Sequence, residues 1–281
     1  MSDDSGFPPL NAPALLKRHG LRAEKRLGQN FLQDTSALEK IALAAKIQAD
    51  DTVLEIGAGL GSLTRYLARS ARTVVAVELD PDLLGPLREV IAPYQNVRLV
   101  QGDILKLGIS ELVDRPDYLV VANIPYNITS AIIRHLLEGE PKPRRVVLTV
   151  QKEVAERICA QPGDLSLLAL SVQVYGHPQI TAHIPAEAFF PVPKVDSAVL
   201  RIDVYPAPLV PTQFLEIFFR YIKAGFGQKR KTLRNSLSAG LHIPPAEAES
   251  LLTRAKIDPK RRAESLGIEE WNILCNQGEL K

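Results

Sequence analysis

Thr52-Val-Leu-Glu-Ile56 runs without a break into Gly57-Ala-Gly-Leu-Gly61, a mostly apolar stretch, with Glu55 its one charged residue, that ends in a glycine-rich turn. A run that is apolar at consecutive positions, not alternate ones, suits a strand buried on both faces, as in a parallel sheet covered by helices. The glycines let the backbone turn tightly and pass close to a ligand at the strand's carboxyl end. The spacing is GxGxG, not the GxGxxG of dinucleotide-binding folds, so a pyrophosphate on the helix N-terminus is not the expected ligand.

The same alternation extends outward in both directions. A helix is expected over 36–47, further strands at 73–78, 97–101, 118–122 and 145–150, and helices at 61–69, 82–92, 128–137 and 151–160. Apolar strands separated by helices specify an α/β fold, a doubly wound and mostly parallel sheet. Two more strands, at 177–184 and 195–205, flank Phe189-Phe-Pro-Val-Pro-Lys194. Pro206-Ala-Pro-Leu-Val-Pro211 marks the expected boundary, beyond which helical spacing dominates at 213–224, 231–238, 245–255 and 267–277. The expected organisation is a loose N-terminal arm at 1–20, an α/β domain at 21–205 and a small all-α domain at 206–281.

Composition narrows the function classes. The 281 residues, 46% hydrophobic and 23% charged, suit one large and one smaller globular domain. No run approaches the roughly 18 apolar residues of a membrane span. The N-terminal residues carry acids and prolines where a signal peptide would be basic and apolar. Cys159 and Cys275 have no ligand spacing, so neither a zinc site nor a disulfide framework is expected, and a cytoplasmic location is. The net charge of +2 conceals a split, because 220–262 holds eleven Lys/Arg and three acids, a surplus of +8. Such a segment points to a polyanion-binding region. Lys17, Arg18, Arg22, Lys25 and Arg26 extend the same character to the N-terminus.

Three polar groups fall at the ends of expected strands, where open α/β sheets bind ligands. Glu78, 21 residues beyond Gly57, can accept both hydroxyls of a ribose. Asp103, in Gly102-Asp103-Ile104, can accept from the amino group of a cofactor's adenine. Asn123-Ile-Pro-Tyr126 offers an amide, a φ-restricted turn and an aromatic face, which together suit an exocyclic amine on a planar ring. Singly, each has a plainer reading as a turn or a helix cap. In order, each at a strand end, they describe a binding site.

With these residues goes a resemblance. Leu27-Gly-Gln-Asn-Phe-Leu32, Glu55-Ile-Gly-Ala-Gly-Leu-Gly61, Glu78, Gly102-Asp-Ile104, Asn123-Ile-Pro-Tyr126, Phe189-Phe-Pro-Val-Pro-Lys-Val-Asp-Ser197, Phe226-Gly-Gln-Lys-Arg-Lys-Thr-Leu233 and Arg262-Ala-Glu-Ser-Leu266 resemble the ribosomal RNA adenine N6,N6-dimethyltransferases. These are class I S-adenosylmethionine-dependent methyltransferases. The resemblance spans about 20–270. It differs at Ile124, where the family usually has Leu, and in lacking a Tyr-Gly pair within 162–171.

The resemblance implies that Asn30, Leu32, Gly57, Gly59, Glu78, Leu79, Asp103, Ile104 and Asn123 line an S-adenosylmethionine site without a metal. It implies that Asn123 and Tyr126 hold the target adenine, with Phe189 as a second aromatic wall. Lys229, Arg230, Lys231, Arg234, Arg261 and Arg262 are the expected RNA contacts. The implied partner is the small ribosomal subunit, with no membrane, no obligate protein partner and a monomeric chain. Two alternatives share the motifs: a large-subunit RNA methyltransferase of the macrolide-resistance type, and an assembly or transcription factor that keeps the fold as an RNA clamp.

Overall fold

The computed structural model describes residues 8–278, which divide into two compact units. The first comprises the chain up to 155 together with 179–204; the second comprises 156–178 together with 205 onwards.

The first unit begins with α1 (Ala12–Arg18) and the short β1 (Phe31–Leu32), then α2 (Thr35–Ala45). There follow β2 (Thr52–Ile56), α3 (Ser62–Ser70), β3 (Thr73–Glu78), α4 (Leu84–Ile91), β4 (Val97–Gln101) and α5 (Ile109–Leu112). Next come β5 (Leu119–Asn123), α6 (Thr129–Glu138) and β6 (Arg145–Gln151). The chain then leaves through α7 (Lys152–Ile158) and α8 (Leu167–Gln173), returning in β7 (Gly176–Ile184), the short β8 (Phe189–Phe190) and β9 (Ser197–Val204).

Seven strands form one sheet in the order β4-β3-β2-β5-β6-β9-β7. β2 pairs in parallel with β3 on one side and β5 on the other, β4 and β6 extend the parallel array, and β9 runs antiparallel to β6. The strand order therefore reverses at β2, and open α/β sheets bind ligands in the crevice beyond such a switch point. The β2 and β5 interiors justify their apolar residues: Val53, Leu54, Val120 and Val121 are fully buried. Burying such a side chain stabilises by about 1.5–3 kcal/mol. β4, at the sheet edge, is only partly covered.

The stretch 1–20 is not a loose arm where it is described. The Asn11 side chain accepts from the Ala14 N–H at 3.0 Å, capping α1, and Ala12, Leu15 and Leu16 are buried against Phe31, Leu60 and Leu83. Residues 1–7 of the expected arm lie outside the described residues. β1 and β8 pair antiparallel, Phe31 opposite Phe190 and Leu32 opposite Phe189.

The second unit is helical, adding α9 (Leu215–Phe226), α10 (Leu233–Leu241), α11 (Pro245–Arg254) and α12 (Ile268–Gly278) to α8. It takes in 156–178, which the sequence reading gives to the α/β domain, because the apolar face of α8 packs beside α9. Trp271 is fully buried within this unit. Among the described residues no helix is long and apolar enough to cross a membrane.

Candidate active site

Beyond the carboxyl ends of β2, β3, β4 and β5 lies a cavity with an empty volume of about 1030 Å³, part of it open to solvent. All nine residues expected to hold a cofactor line it: Asn30, Leu32, Gly57, Gly59, Glu78, Leu79, Asp103, Ile104 and Asn123. Tyr126 lines it as well.

The glycine turn builds one wall. Gly57 and Ala58 donate to the Val77 carbonyl at 2.8 and 3.2 Å, tying the loop after β2 to the end of β3. Gly59 has φ +59°, and a Cβ there would stand 3.3 Å from the Phe31 ring, so both conformation and space call for glycine. The Gly59 N–H donates at 2.7 Å to Glu78 Oε2, and the Asp80 N–H donates at 2.9 Å to Oε1. Glu78 is thus aimed by main-chain donors on both of its oxygens. Burial raises its carboxyl above the usual range, with the like charge of Asp80 adding to the effect.

Glu55 stands deeper, 1% exposed on the cavity wall, with no hydrogen-bond partner for Oε2 among the described residues. Burial pushes its carboxyl up to about 8, helped by the like charge of Glu78, so it is mostly protonated at neutral pH. At the end of β4, Asp103 Oδ1 accepts from the Leu105 N–H at 3.1 Å.

The segment before α2 closes over the opposite side. The Glu24 N–H donates to Gln29 Oε1 at 2.8 Å, and Gln29 Nε2 donates to Asp80 Oδ2 at 2.7 Å, fastening the segment to the loop that follows Glu78. Asn123, the last residue of β5, donates from Nδ2 to the Asn30 main-chain carbonyl at 3.1 Å. That contact sets the amide's orientation and leaves Oδ1 as an acceptor. Tyr126 shares a 2.6 Å hydrogen bond with Ser197 Oγ, which holds its ring in place. Burial raises the phenol's pKa, so the Tyr126 hydroxyl keeps its proton at neutral pH.

Phe189 departs from expectation. It is 2% exposed and packed with Leu32 among the core side chains, and it does not line the cavity. Paired residues of an antiparallel ribbon share a face, and successive residues alternate faces. Leu32 and Phe189 therefore turn toward the core, while Phe31 and Phe190 turn the other way. Phe31, Gln29 and Glu55 line the cavity and Asp80 braces it through Gln29 and Glu78, and none of the four has a role in the sequence reading. Gln29 and Phe31 lie inside the quoted Leu27–Leu32 motif, so the signal was present but unassigned.

In the second unit, Lys229, Arg230 and Lys231 are exposed between α9 and α10 and form no ion pair among the described residues. Arg234 pairs with Glu249 at 3.1 Å and Arg262 with Glu264 at 3.8 Å, both largely exposed. Arg261 is committed internally: its guanidinium is paired with Glu270 and donates to the Ser265 carbonyl at 2.6 Å.

This architecture matches known proteins along almost the whole chain. The model of the ribosomal RNA adenine dimethylase family matches residues 20–278. Ribosomal RNA small subunit methyltransferase A of Dehalococcoides mccartyi is 45% identical over 274 residues, covering 96% of this chain and 94% of the relative. The protein of that name from Moorella thermoacetica is 42% identical over 279 residues, covering 95% and 96%. Among solved structures, a dimethyladenosine transferase from Plasmodium falciparum superposes with a TM-score of 0.76 at 26% identity, covering 88% of this chain and 98% of that one. The 23S rRNA methyltransferase ErmE superposes with a TM-score of 0.70 at 30% identity, covering 88% and 99%. The chain belongs to the ribosomal RNA adenine dimethylase family.

Proposed function

We propose that the protein transfers methyl groups from S-adenosylmethionine to the N6 atoms of two adjacent adenines in small-subunit ribosomal RNA, giving N6,N6-dimethyladenosine. On this reading it takes part in small-subunit biogenesis in the cytoplasm. The observation that carries the reading is the fixed amide of Asn123, whose Nδ2 is engaged by the Asn30 carbonyl and whose Oδ1 remains free.

The cavity fits the donor. Glu78 suits its ribose hydroxyls, Asp103 the amino group of its adenine, the Gly57–Gly59 turn a close backbone approach, and Leu32, Leu79 and Ile104 its apolar faces. When bound, S-adenosylmethionine supplies a methyl group activated on a sulfonium.

The chain's own residues prepare the acceptor. An adenine amine is a weak nucleophile because its lone pair is delocalised into the ring. Asn123 Oδ1 and the Ile124 carbonyl accept from its N–H groups, draw the nitrogen toward tetrahedral geometry and expose the lone pair. Positioning of this kind lowers a barrier by several kcal/mol. No dedicated base is needed, since an N-methylated aryl ammonium loses its proton to water. Tyr126 provides the stacking face, worth about 1–3 kcal/mol per base, which helps offset unstacking the adenine from its strand.

Relatives more than 40% identical over nearly the full chain carry the small-subunit name, which supports that target over the large-subunit alternative. The test is incubation with labelled S-adenosylmethionine and unmodified small or large ribosomal subunits, followed by mapping of the modified nucleoside. Dimethyladenosine is expected in small-subunit RNA. Label confined to large-subunit RNA would overturn the reading.

A further inference from the structure

A second cavity of the first unit, with an empty volume of about 990 Å³, opens beside the ribbon of β1 and β8. Its walls are the C-terminal end of α1 and the segment after it, with Lys17, Leu21 and Arg22, and the turn at Phe190 and Pro191. It belongs to neither the donor cavity nor the basic cluster at 229–231.

Its charge is uncompensated on one side. Arg18 and His19 both pair with Glu89, whereas Lys17 and Arg22, both exposed, have no ion-pair partner among the described residues. Phe190 is half-buried and forms part of the groove wall. Two free cations beside a partly accessible aromatic ring are the elements with which proteins take single-stranded nucleic acid, phosphates on the cations and a base on the ring.

Its position ties it to the reaction. Phe31 lines the donor cavity, Phe190 lines the groove, and the two are directly opposite each other in the ribbon. Directly paired residues hold their Cβ atoms about 4.5–5.5 Å apart. Groove and cavity therefore meet within one strand spacing, a distance that a connected RNA strand readily bridges.

We propose that this groove binds a nucleotide flanking the target adenine, with Lys17 and Arg22 on its phosphates and Phe190 beneath its base. The inference rests on reading the donor cavity as an adenine site in RNA, and it adds a second subsite to that reading.

The test uses the full chain and single-stranded RNA oligonucleotides that carry the target adenine, with fluorescent 2-aminopurine placed at each flanking position in turn. For the Lys17→Gln/Arg22→Gln double variant, affinity should fall about tenfold, and the salt slope of log affinity should shrink by about 1.4, at roughly 0.7 per phosphate on a single strand. Both side chains are exposed, so the fold is not at issue. Phe190→Leu should keep the salt slope and abolish the quenching of 2-aminopurine at one flanking position. An unchanged slope in the double variant, or quenching that survives Phe190→Leu, overturns the groove. Transfer of label by the wild-type protein to ribosomal RNA reports separately on the enzymatic reading. A wild type that binds these oligonucleotides with the expected variant pattern but transfers no label would overturn that reading and leave the groove standing.

Discussion

On the proposed reading, Asn123 concentrates the chemistry in one side chain, because its Nδ2 is engaged by the Asn30 carbonyl and its Oδ1 is left for the substrate amine. Asn123→Ala should lower turnover by about 10²–10³-fold, the usual cost of deleting a preorganised polar contact at a reacting centre. RNA affinity, measured alongside by filter binding, should hold. Normal turnover would remove the amine-holding role. Glu55 makes a different prediction, about stability. In the folded protein it keeps its proton up to about pH 8, whereas the unfolded chain releases it near 4.5. Between those values the folded state binds the extra proton, so stability falls as pH rises through the window, by up to about 1.4 kcal/mol per unit. Glu55→Gln should flatten that decline in denaturant midpoints measured from pH 5 to 8.5. A variant whose pH profile matches the wild type would refute the assignment. Phe189 sits among the core side chains beside Leu32, which itself lines the cavity. Its motif marks the neighbourhood of the site, but a one-residue step in a strand exchanges core for cavity. No pattern in Phe189-Phe190 says which ring faces where, since both are equally apolar.

At the scale of elements, the long periodic segments were legible in the sequence, and β2, β3 and β4 run between the expected residues. The two-residue β1 and β8 were not, because a pair of residues has no period to read, and their pairing joins segments far apart in the chain. α1 escaped for a related reason: it spans only seven residues, and what holds it is burial against Leu60 and Leu83, a tertiary contact. Helix crossings are likewise set by contacts that composition does not announce. A Cβ on Gly240 of α10 would fall 2.5 Å from Ala224 Cα of α9, so these helices cross nearly backbone to backbone. Gly240→Ala should cost about 1–3 kcal/mol in chemical denaturation, the range for overpacking a close interface. A neutral substitution would mean that the helices separate freely. Arg261, expected to touch RNA, binds α12 to the turn before it through Glu270 and Ser265. Arg261→Ala should therefore lower the melting temperature while RNA affinity changes little. The opposite pattern would restore it to the RNA surface.

Over the whole molecule, charge is divided as the sequence indicates, with a surplus of +8 on 220–262. The structure distinguishes paired cations, such as Arg234, Arg261 and Arg262, from unpaired ones, which include Lys229, Arg230 and Lys231 among the described residues. Replacing all three with Gln should reduce the salt slope of RNA binding by about 2, and weaken affinity most at low salt. Unchanged binding would make the cluster an ordinary solvated face. Sheet order has a consequence of another kind, for the timing of synthesis. β9 lies between β6 and β7 although it is made after both, and its first residue, Ser197, anchors the Tyr126 hydroxyl. A nascent chain extending only through Gln151 already carries the glycine turn, Glu78, Asp103 and Asn123, but β6 then presents an unpaired edge. Pairings so distant in sequence form slowly. The cavity's residues are encoded early and their frame is completed late, when the strand ending at Val204 has left the ribosome and closed the gap.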